Sequence, residues 1–532
     1  MPRLDMPSGP SNVPSDEPNV EWSSVEAEVP SERTERKGQG IREKVAQRLE
    51  MMELVDPSLM RAARTHKAIQ ALAQECLGIE SESRLDSSFV VQEICQFWSH
   101  SWHGSAWKKL LLVLAMENGL AATVCGTLAG LIAMVLYING LLPGGARPAI
   151  LGGDHGTSLS LWSTAAASLT ALLTLCFWRP PRSVFLDALC VDRQTPRRKA
   201  ECIVSLGAFV KRSRTLLVLW DHTFCQRLWC IFEIGAFLKS HEENTAARML
   251  VRPTYLGPCV FSLALGMLLT MGIMHFIRWN NLLLAVMIFA GWGYFGFSLA
   301  VHAFRHYFES VRVTQRCMAN FRIEDALCYC CQKAHRRPDG TKIICDREIV
   351  CDCIKRWYGS AAEFEERVQS TISSALTSQL GRHAFPYLWV LGSTTPMLWG
   401  EMDLFAAHYQ ANWQPRRLYS TVIVFGWWLG GFPMIMCLAL FVSERCCKPA
   451  GSKMWDALQT MAVTLIVFPA YLALFVYQIC CQRAWSEPMP GAILWALTTS
   501  PAAVLLWHPY ACLRIFGMRD KKAPGVKHSL DQ

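Results

Sequence analysis

The sequence predicts a polytopic α-helical membrane protein that carries a small cytosolic α/β domain. Three observations predict it. Seven stretches reach the roughly 20 apolar residues that a helix needs to cross the hydrocarbon core. Of 532 residues, 52% are hydrophobic and only 18% are Asp, Glu, Lys or Arg, and the mean hydropathy is positive at +0.19. One polar stretch between the second and third apolar runs alternates strand-like and helix-like patterns. Twenty Trp, 25 Phe and 21 Met exclude a disordered chain, and no collagen or heptad period runs through the sequence. The net charge of +9 need not mean a nucleic acid partner, and none is expected, because basic residues also collect on the cytosolic side of membrane proteins.

From the N-terminus, residues 1–40 are rich in Pro, Ser, Glu and Arg and read as a disordered tail without the apolar core of a cleaved signal peptide. Residues 41–54 have helical spacing. Asp56-Pro57 then supplies an N-cap and first-turn proline for a second helix to Gly78, making 41–78 a pair of cytosolic helices. The seven long apolar stretches fall at 119–141, 158–178, 255–277, 282–304, 418–442, 457–479 and 491–512. An eighth, 385–400, is short and carries Ser, Thr and two Pro. Counting it places Arg445, Lys448, Lys453, Arg519, Lys521 and Lys522 with the basic loops after Trp178 and Phe304, so the positive-inside bias favours eight spans and cytosolic termini, 513–532 being a cytosolic tail. Nearly all loop cysteines then face the reducing cytosol, which argues against a disulfide framework.

The eight stretches, as bounded here, contain no Asp, Glu, Lys or Arg in their interiors. Coupled transporters place ionisable groups near the midplane, so this favours an anchor in the lipid bilayer, while a channel or transporter with regulatory cytosolic domains stays open as the alternative. Gly126 and Gly130 form a small-xxx-small pair, and Gly291, Gly293 and Gly296 a second small face, both suited to close helix contact. Pro396, Pro433, Pro469 and Pro501 sit inside the last four stretches.

The polar stretch between the second and third spans carries the α/β pattern. Residues 183–187, SVFLD, read as a short buried strand ending in a carboxylate, followed by a polar loop over 190–199 with three consecutive bases, Arg197, Arg198 and Lys199. Residues 201–212 have helical spacing. RTLLVLW at 214–220 is a continuous apolar run typical of a strand covered on both faces, and 227–239 is a second helix. Right-handed crossovers make this a doubly wound sheet. In that last helix one carboxylate, Glu233, sits among Trp229, Cys230, Ile231, Phe232 and Ile234. Burying it unpaired costs several kcal/mol or raises its pKa. It is a functional group, the partner of Arg227 or Arg214, or one exposed stripe on an otherwise apolar helix.

FLDALCVDRQ, then a helix, then SRTLLVLWDHTFCQRLWCIFE resembles the TIR domain, with the WCxxE signature at Trp229, Cys230 and Glu233. LDALCVD is also similar to the heterokaryon-incompatibility domain, a relative of TIR, and FWSHSW at 97–102 before a helix at 107–117 is similar to the first TIR strand. On this resemblance the domain occupies 90–117 and 183–252, interrupted by a transmembrane hairpin at 119–178, an arrangement similar to multi-pass TIR-like proteins of dinoflagellate protists. The resemblance implies a flavodoxin-like fold. It implies either cleavage of NAD at the nicotinamide–ribose bond through Glu233, with Ser99, His100, Asp187, Trp229 and Cys230 at the nucleotide pocket, or homotypic association and partner binding through the loop bearing Arg197, Arg198 and Lys199. The sequence departs from the TIR pattern at Cys95, where an acidic residue is common, and at Trp220, where a small one is. A fourth strand is expected over 246–252, and a fifth has no counterpart.

The second cytosolic region, 305–384, holds Cys328, Cys330, Cys331, His335, Cys345, Cys351 and Cys353, soft ligands of the kind zinc takes. Their CxCC and CxC spacing leaves zinc and simple reduced or lipidated thiols both open. After them, 359–381 reads as an amphipathic helix with Phe364, Val368, Ile372 and Leu376 on one face, suited to pack on the sheet.

Overall fold

The computed structural model describes residues 32–79, 85–144, 160–242, 248–274, 282–336, 344–380, 385–410, 414–447 and 451–507. The expected tail at 513–532 lies outside them. Among the described residues the protein is mainly helical, with four helices long and apolar enough to cross a membrane and one small mixed sheet packed with helices.

The sheet has six strands: β1 (Arg61–Arg64), β2 (Ser88–Val90), β3 (Ile94–His100), β4 (Ser183–Phe185), β5 (Ser213–Trp220) and β6 (Met249–Pro253), in the order β2-β1-β4-β3-β5-β6. β4, β3, β5 and β6 are parallel, while β1 is antiparallel to both neighbours. The apolar run in β5 sits in the sheet interior, and Leu216 to Trp220 are all buried. β6 supplies the expected fourth parallel strand. Phe97 of β3 stacks on Phe185 of β4 with ring centroids 4.6 Å apart. Right-handed crossovers put the helix after β3 and the helices after β4 and β5 on opposite faces. Accordingly Ala106–Glu117 packs with Thr65–Leu77 and Leu256–Met274, and Leu206–Lys211 packs with Leu228–Ser240.

Several sequence expectations are corrected. Residues 41–78 are not two consecutive helices. A helix spans Glu32–Met51, so it begins inside the stretch read as disordered tail. Asp56 does act as a cap, accepting from Ser58 N at 2.9 Å, but the turn it opens lasts only Pro57–Leu59 before β1 begins. The reason is tertiary: β1 pairs with β4, and its Ala62 and Ala63 are buried against the sheet. Helix resumes at Thr65–Leu77 and ends at Gly78 with φ +65°, a left-handed C-cap that glycine adopts without strain. The loop expected over 190–199 is shorter, because Asp187–Cys190 is a helical turn and a helix starts at Pro196, capped by Thr195 accepting from Arg198 N.

Ala361–Leu380 is the expected amphipathic helix, packed on β6 and on Leu228–Ser240, with Phe364, Val368 and Ile372 fully buried. Asp346–Tyr358 joins it: Trp357 stacks on Phe232 at 5.4 Å and the Tyr358 hydroxyl donates to Gly235 O. The N-terminal helix closes over this group through Arg42, which donates to Asp352 and Glu348.

The helices that meet the length and apolarity of a span are Gly119–Ile138, Leu418–Arg445, Lys453–Arg483 and Pro488–Trp507. Trp162–Phe177 and Leu256–Gly272 are apolar but shorter. Gly126 and Gly130 do mark a close contact, made within the chain: a Cβ on Gly126 would stand 2.9 Å from Ala167 O, and one on Gly130 3.2 Å from the Ala167 Cβ. In the second small face, Gly296 meets Gly266 backbone to backbone, whereas Gly291 faces open space. The stretch at 385–400 is two helices, Tyr387–Thr394 and Pro396–Gln410, broken ahead of Pro396. The second runs past the expected end and takes two buried acids, Glu401 and Asp403, into the helical bundle. Asp403 accepts from the backbone N–H of Ser163 and Thr164 at 2.8 and 2.9 Å, so it caps the Trp162–Phe177 helix from outside.

Candidate functional site

The chain leaves β3 toward one flank of the sheet and later returns to the other, so the strand order reverses between β3 and β5. In open parallel sheets the crevice outside the carboxyl ends of the strands at such a point is where ligands bind. Here the segments after β3 (Ser101 to Ser105) and after β5 (Asp221 to Arg227) meet there. Thr223 Oγ1 donates to Ser101 Oγ at 2.6 Å, and Arg227 Nη1 lies 2.7 Å from His103 Nδ1, which accepts because a guanidinium only donates. Gly104 passes so close to Asp221 that a Cβ would stand 1.7 Å from its Oδ2.

Glu233 lies one and a half turns into the Leu228–Ser240 helix. Ser99 Oγ, near the carboxyl end of β3, donates to Glu233 Oε2 at 2.5 Å. Some of the side chain keeps access to solvent, yet protein surrounds the carboxylate over the range that governs its solvation. Burial therefore raises its pKa to about 8, with the Asp187 charge adding to the rise and the Ser99 hydroxyl opposing it. The two arginines considered as neutralising partners have other contacts: Arg214 pairs with Glu93 at 2.6 Å and Arg227 meets His103.

Asp187, just after β4, accepts from Trp102 Nε1 at 2.8 Å and approaches His100 Nε2 at 4.0 Å. His100 is buried, which lowers its pKa and favours the neutral imidazole. The Cys230 thiol donates to His100 O, and burial raises its pKa well above the usual range, so it is no thiolate nucleophile. Trp229 packs edge-on against Phe232 at 5.5 Å. Ser99, His100, Asp187, Cys230 and Glu233 thus converge at one end of the sheet, with Trp229 beside them in packing.

Sequence reasoning missed the second half of this cluster. Asp221 is buried with Oδ2 lacking a hydrogen-bond partner, and Lys109, fully buried, approaches Glu75 at 3.6 Å while its Nζ makes no hydrogen bond. A signal for Asp221 existed: it follows an apolar strand, as Asp187 does. Lys109 had none, since its neighbours come from Thr65–Leu77, a helix far away in sequence.

Arg197, Arg198 and Lys199 lie in the first turn of the Pro196–Val204 helix and not in a loop. Arg198 is bound within the chain, to Asp56 at 2.8 Å and to Ser58. Arg197 pairs with Glu201 at 3.0 Å and is largely exposed. In the second region Cys328, Cys330, Cys331, His335 and Cys345 come together, whereas Cys351 and Cys353 join no such group among the described residues, and Cys353 is buried in the apolar core.

An apolar cavity lies elsewhere, between membrane-type helices, lined by residues such as Gly266, Gly296, Phe432 and Tyr471. Its lining is almost wholly apolar, Thr270 and Tyr471 being the residues in it that carry a hydroxyl. No family model, curated protein or solved structure matches this chain.

Proposed function

We propose that the chain is a membrane-anchored TIR-like signalling and interaction protein that cleaves NAD at the nicotinamide–ribose bond through Glu233. The observation that carries this reading is the Ser99–Glu233 pair with Asp187 nearby, at the carboxyl edge of a parallel sheet where strand order reverses. The parallel strands, in chain order second-first-third-fourth, agree with a flavodoxin-like domain. In the reaction the ribose C1′–nicotinamide bond breaks, water forms the new bond to C1′, and its proton passes to the Glu233 carboxylate. An ionised carboxylate also stabilises the positive charge that develops on the ribose, as in glycoside hydrolysis.

Eight spans with both termini in the cytosol fit the contacts. β3 pairs with β4 across the 119–178 hairpin, and Leu327 pairs with Arg227 across the 255–304 hairpin, so each hairpin returns to the side it left. Phe385 touches Phe304 at 5.6 Å while Gln410 donates to Tyr137 O at the other end of Gly119–Ile138. That supports 385–410 as a further crossing. Homotypic association is part of the proposal, with Arg197 as the exposed base.

The test is nicotinamide release from NAD by the purified full-length protein. Glu233→Gln is expected to lower the rate by at least about 100-fold, the scale of a lost general base. Because the free carboxyl is half-ionised only at about pH 8, kcat/KM is expected to rise with pH up to that value. No release from the wild type, or equal release from Glu233→Gln, overturns the catalytic reading. The channel or transporter alternative draws on the buried acids Glu401 and Asp403. Asp403 already serves as a helix cap, and ion flux through proteoliposomes would favour that alternative.

A further inference from the structure

We propose that the cysteine cluster of the second cytosolic region is a structural zinc site, held by Cys331, His335, Cys345 and one of the pair Cys328 and Cys330. The ligand atoms of Cys330, Cys331, His335 and Cys345 all lie within 4.8 Å of one another. Around a tetrahedral zinc with Zn–S near 2.3 Å and Zn–N near 2.05 Å, two sulfurs stand about 3.8 Å apart and a sulfur and a nitrogen about 3.6 Å. The observed separations are 3.6 Å for Cys331 Sγ to Cys345 Sγ and 3.4 Å for Cys331 Sγ to His335 Nε2. These are the separations of ligands waiting on one ion.

Cys328 Sγ lies 2.7 Å from Cys330 Sγ, too close for both to bind the same zinc, so the fourth position belongs to one of them. Each has a claim. Cys328 and Cys331 form a CxxC knuckle that Cys330 hides in the sequence. Cys330 accepts the Asp346 backbone N–H at 3.3 Å, the kind of hydrogen bond that steadies a zinc-bound thiolate.

The backbone supports the same site. Ala334 and His335 have φ of +52° and +56°, a left-handed region that non-glycine residues enter at a cost. That turn, closed by His335 N donating to Cys330 O at 2.8 Å, folds the imidazole back onto Cys331. Cys328, Cys330 and Cys345 are buried. Four protein ligands leave no open position, so the ion is structural. Binding exchanges the thiol protons for the metal and releases them to solvent.

What the ion would hold is specific. Leu327, next to Cys328, accepts from Leu228 N at 3.2 Å and donates to Gln226 O at 2.5 Å, while Arg347 donates to Ala326 O at 2.7 Å. The zinc loop is thereby pinned to the first turn of the helix that carries Glu233. The inference does not depend on the proposed catalytic activity.

The experiment is metal analysis of the full chain, purified in detergent without a polyhistidine tag or chelator. One zinc per chain is expected in the wild type and in Cys351→Ser, and none in Cys331→Ser or Cys345→Ser. Cys328→Ser and Cys330→Ser assign the fourth ligand, and the double variant must lose the metal. Cobalt substitution of the wild type, read by its tetrahedral thiolate absorption, tests the site without any variant having to fold. Absence of zinc together with absence of that cobalt spectrum overturns the proposal, as does full zinc retention in Cys331→Ser.

Discussion

Glu233 was legible as a residue because a single carboxylate in an apolar helix must be paired, used or neutral. Its hydrogen bond from Ser99 links residues 134 positions apart, which no local pattern shows. The raised pKa has a consequence for stability. A carboxyl whose pKa is higher folded than unfolded binds more protons in the native state, so stability falls as pH rises between the two values. With an ordinary value of 4.5 and a folded value of about 8, the penalty is absent below pH 4.5 and complete above pH 8. Glu233→Gln is therefore expected to melt with the wild type at pH 4.5 and to be more stable at pH 8 and above, by at most about 5 kcal/mol. Thermal unfolding of both proteins across that range checks it, and a pH-independent difference would contradict it. Asp221 and Lys109 show the limit of residue-level reading: each looks like an ordinary surface charge until the fold buries it.

At the scale of elements, long runs with one clear period were readable. β5, the Leu228–Ser240 helix and the four span-length apolar helices lie within about five residues of expectation, whereas the helix expected over 282–304 continues to Ala319. Short elements were not. β1 is four residues beside a helix-forming segment, and only its pairing with β2 and β4 makes it a strand. The Pro196–Val204 helix starts early because Thr195 caps it, a signal that the basic run obscured. Pro396–Gln410 continues past Gly400 because its acids gain partners in the bundle. Asp403 is the clearest case: it supplies the side-chain cap that the first turn of Trp162–Phe177 obtains from another helix. Asp403→Ala is expected to cost about 2 kcal/mol, the upper range for a lost cap, with Asp403→Asn recovering part of it. Melting temperatures in detergent decide, and an unchanged Asp403→Ala would remove the cap from the account.

Over the whole molecule, polar segments far apart in sequence assemble one sheet. β3 and β4 are joined through two apolar helices, and the loop at Leu327 closes on Arg227 across two more. On the proposed topology, two of the exposed thiols, Cys76 and Cys480, are reachable, but from opposite sides. In sealed vesicles with the proposed cytosolic face inside, a membrane-impermeant maleimide is expected to modify Cys480, and Cys76 only after permeabilisation, with labelled peptides read by mass spectrometry. Modification of Cys76 in the sealed vesicles, with Cys480 protected, would contradict cytosolic placement of the sheet.

Taken by itself, the sequence determined that the chain has helices long and apolar enough to cross a membrane, where they lie, and that an α/β unit with a conspicuous glutamate stands between them. Those properties come from composition and periodicity, which act over one helix or strand at a time. Tertiary structure alone decided that β1 joins the sheet, that Ser99 and Asp187 face Glu233 and that Asp403 caps a neighbouring helix. Each is a contact between residues tens to hundreds of positions apart, made because burying apolar faces together brings polar groups into reach that must then find partners.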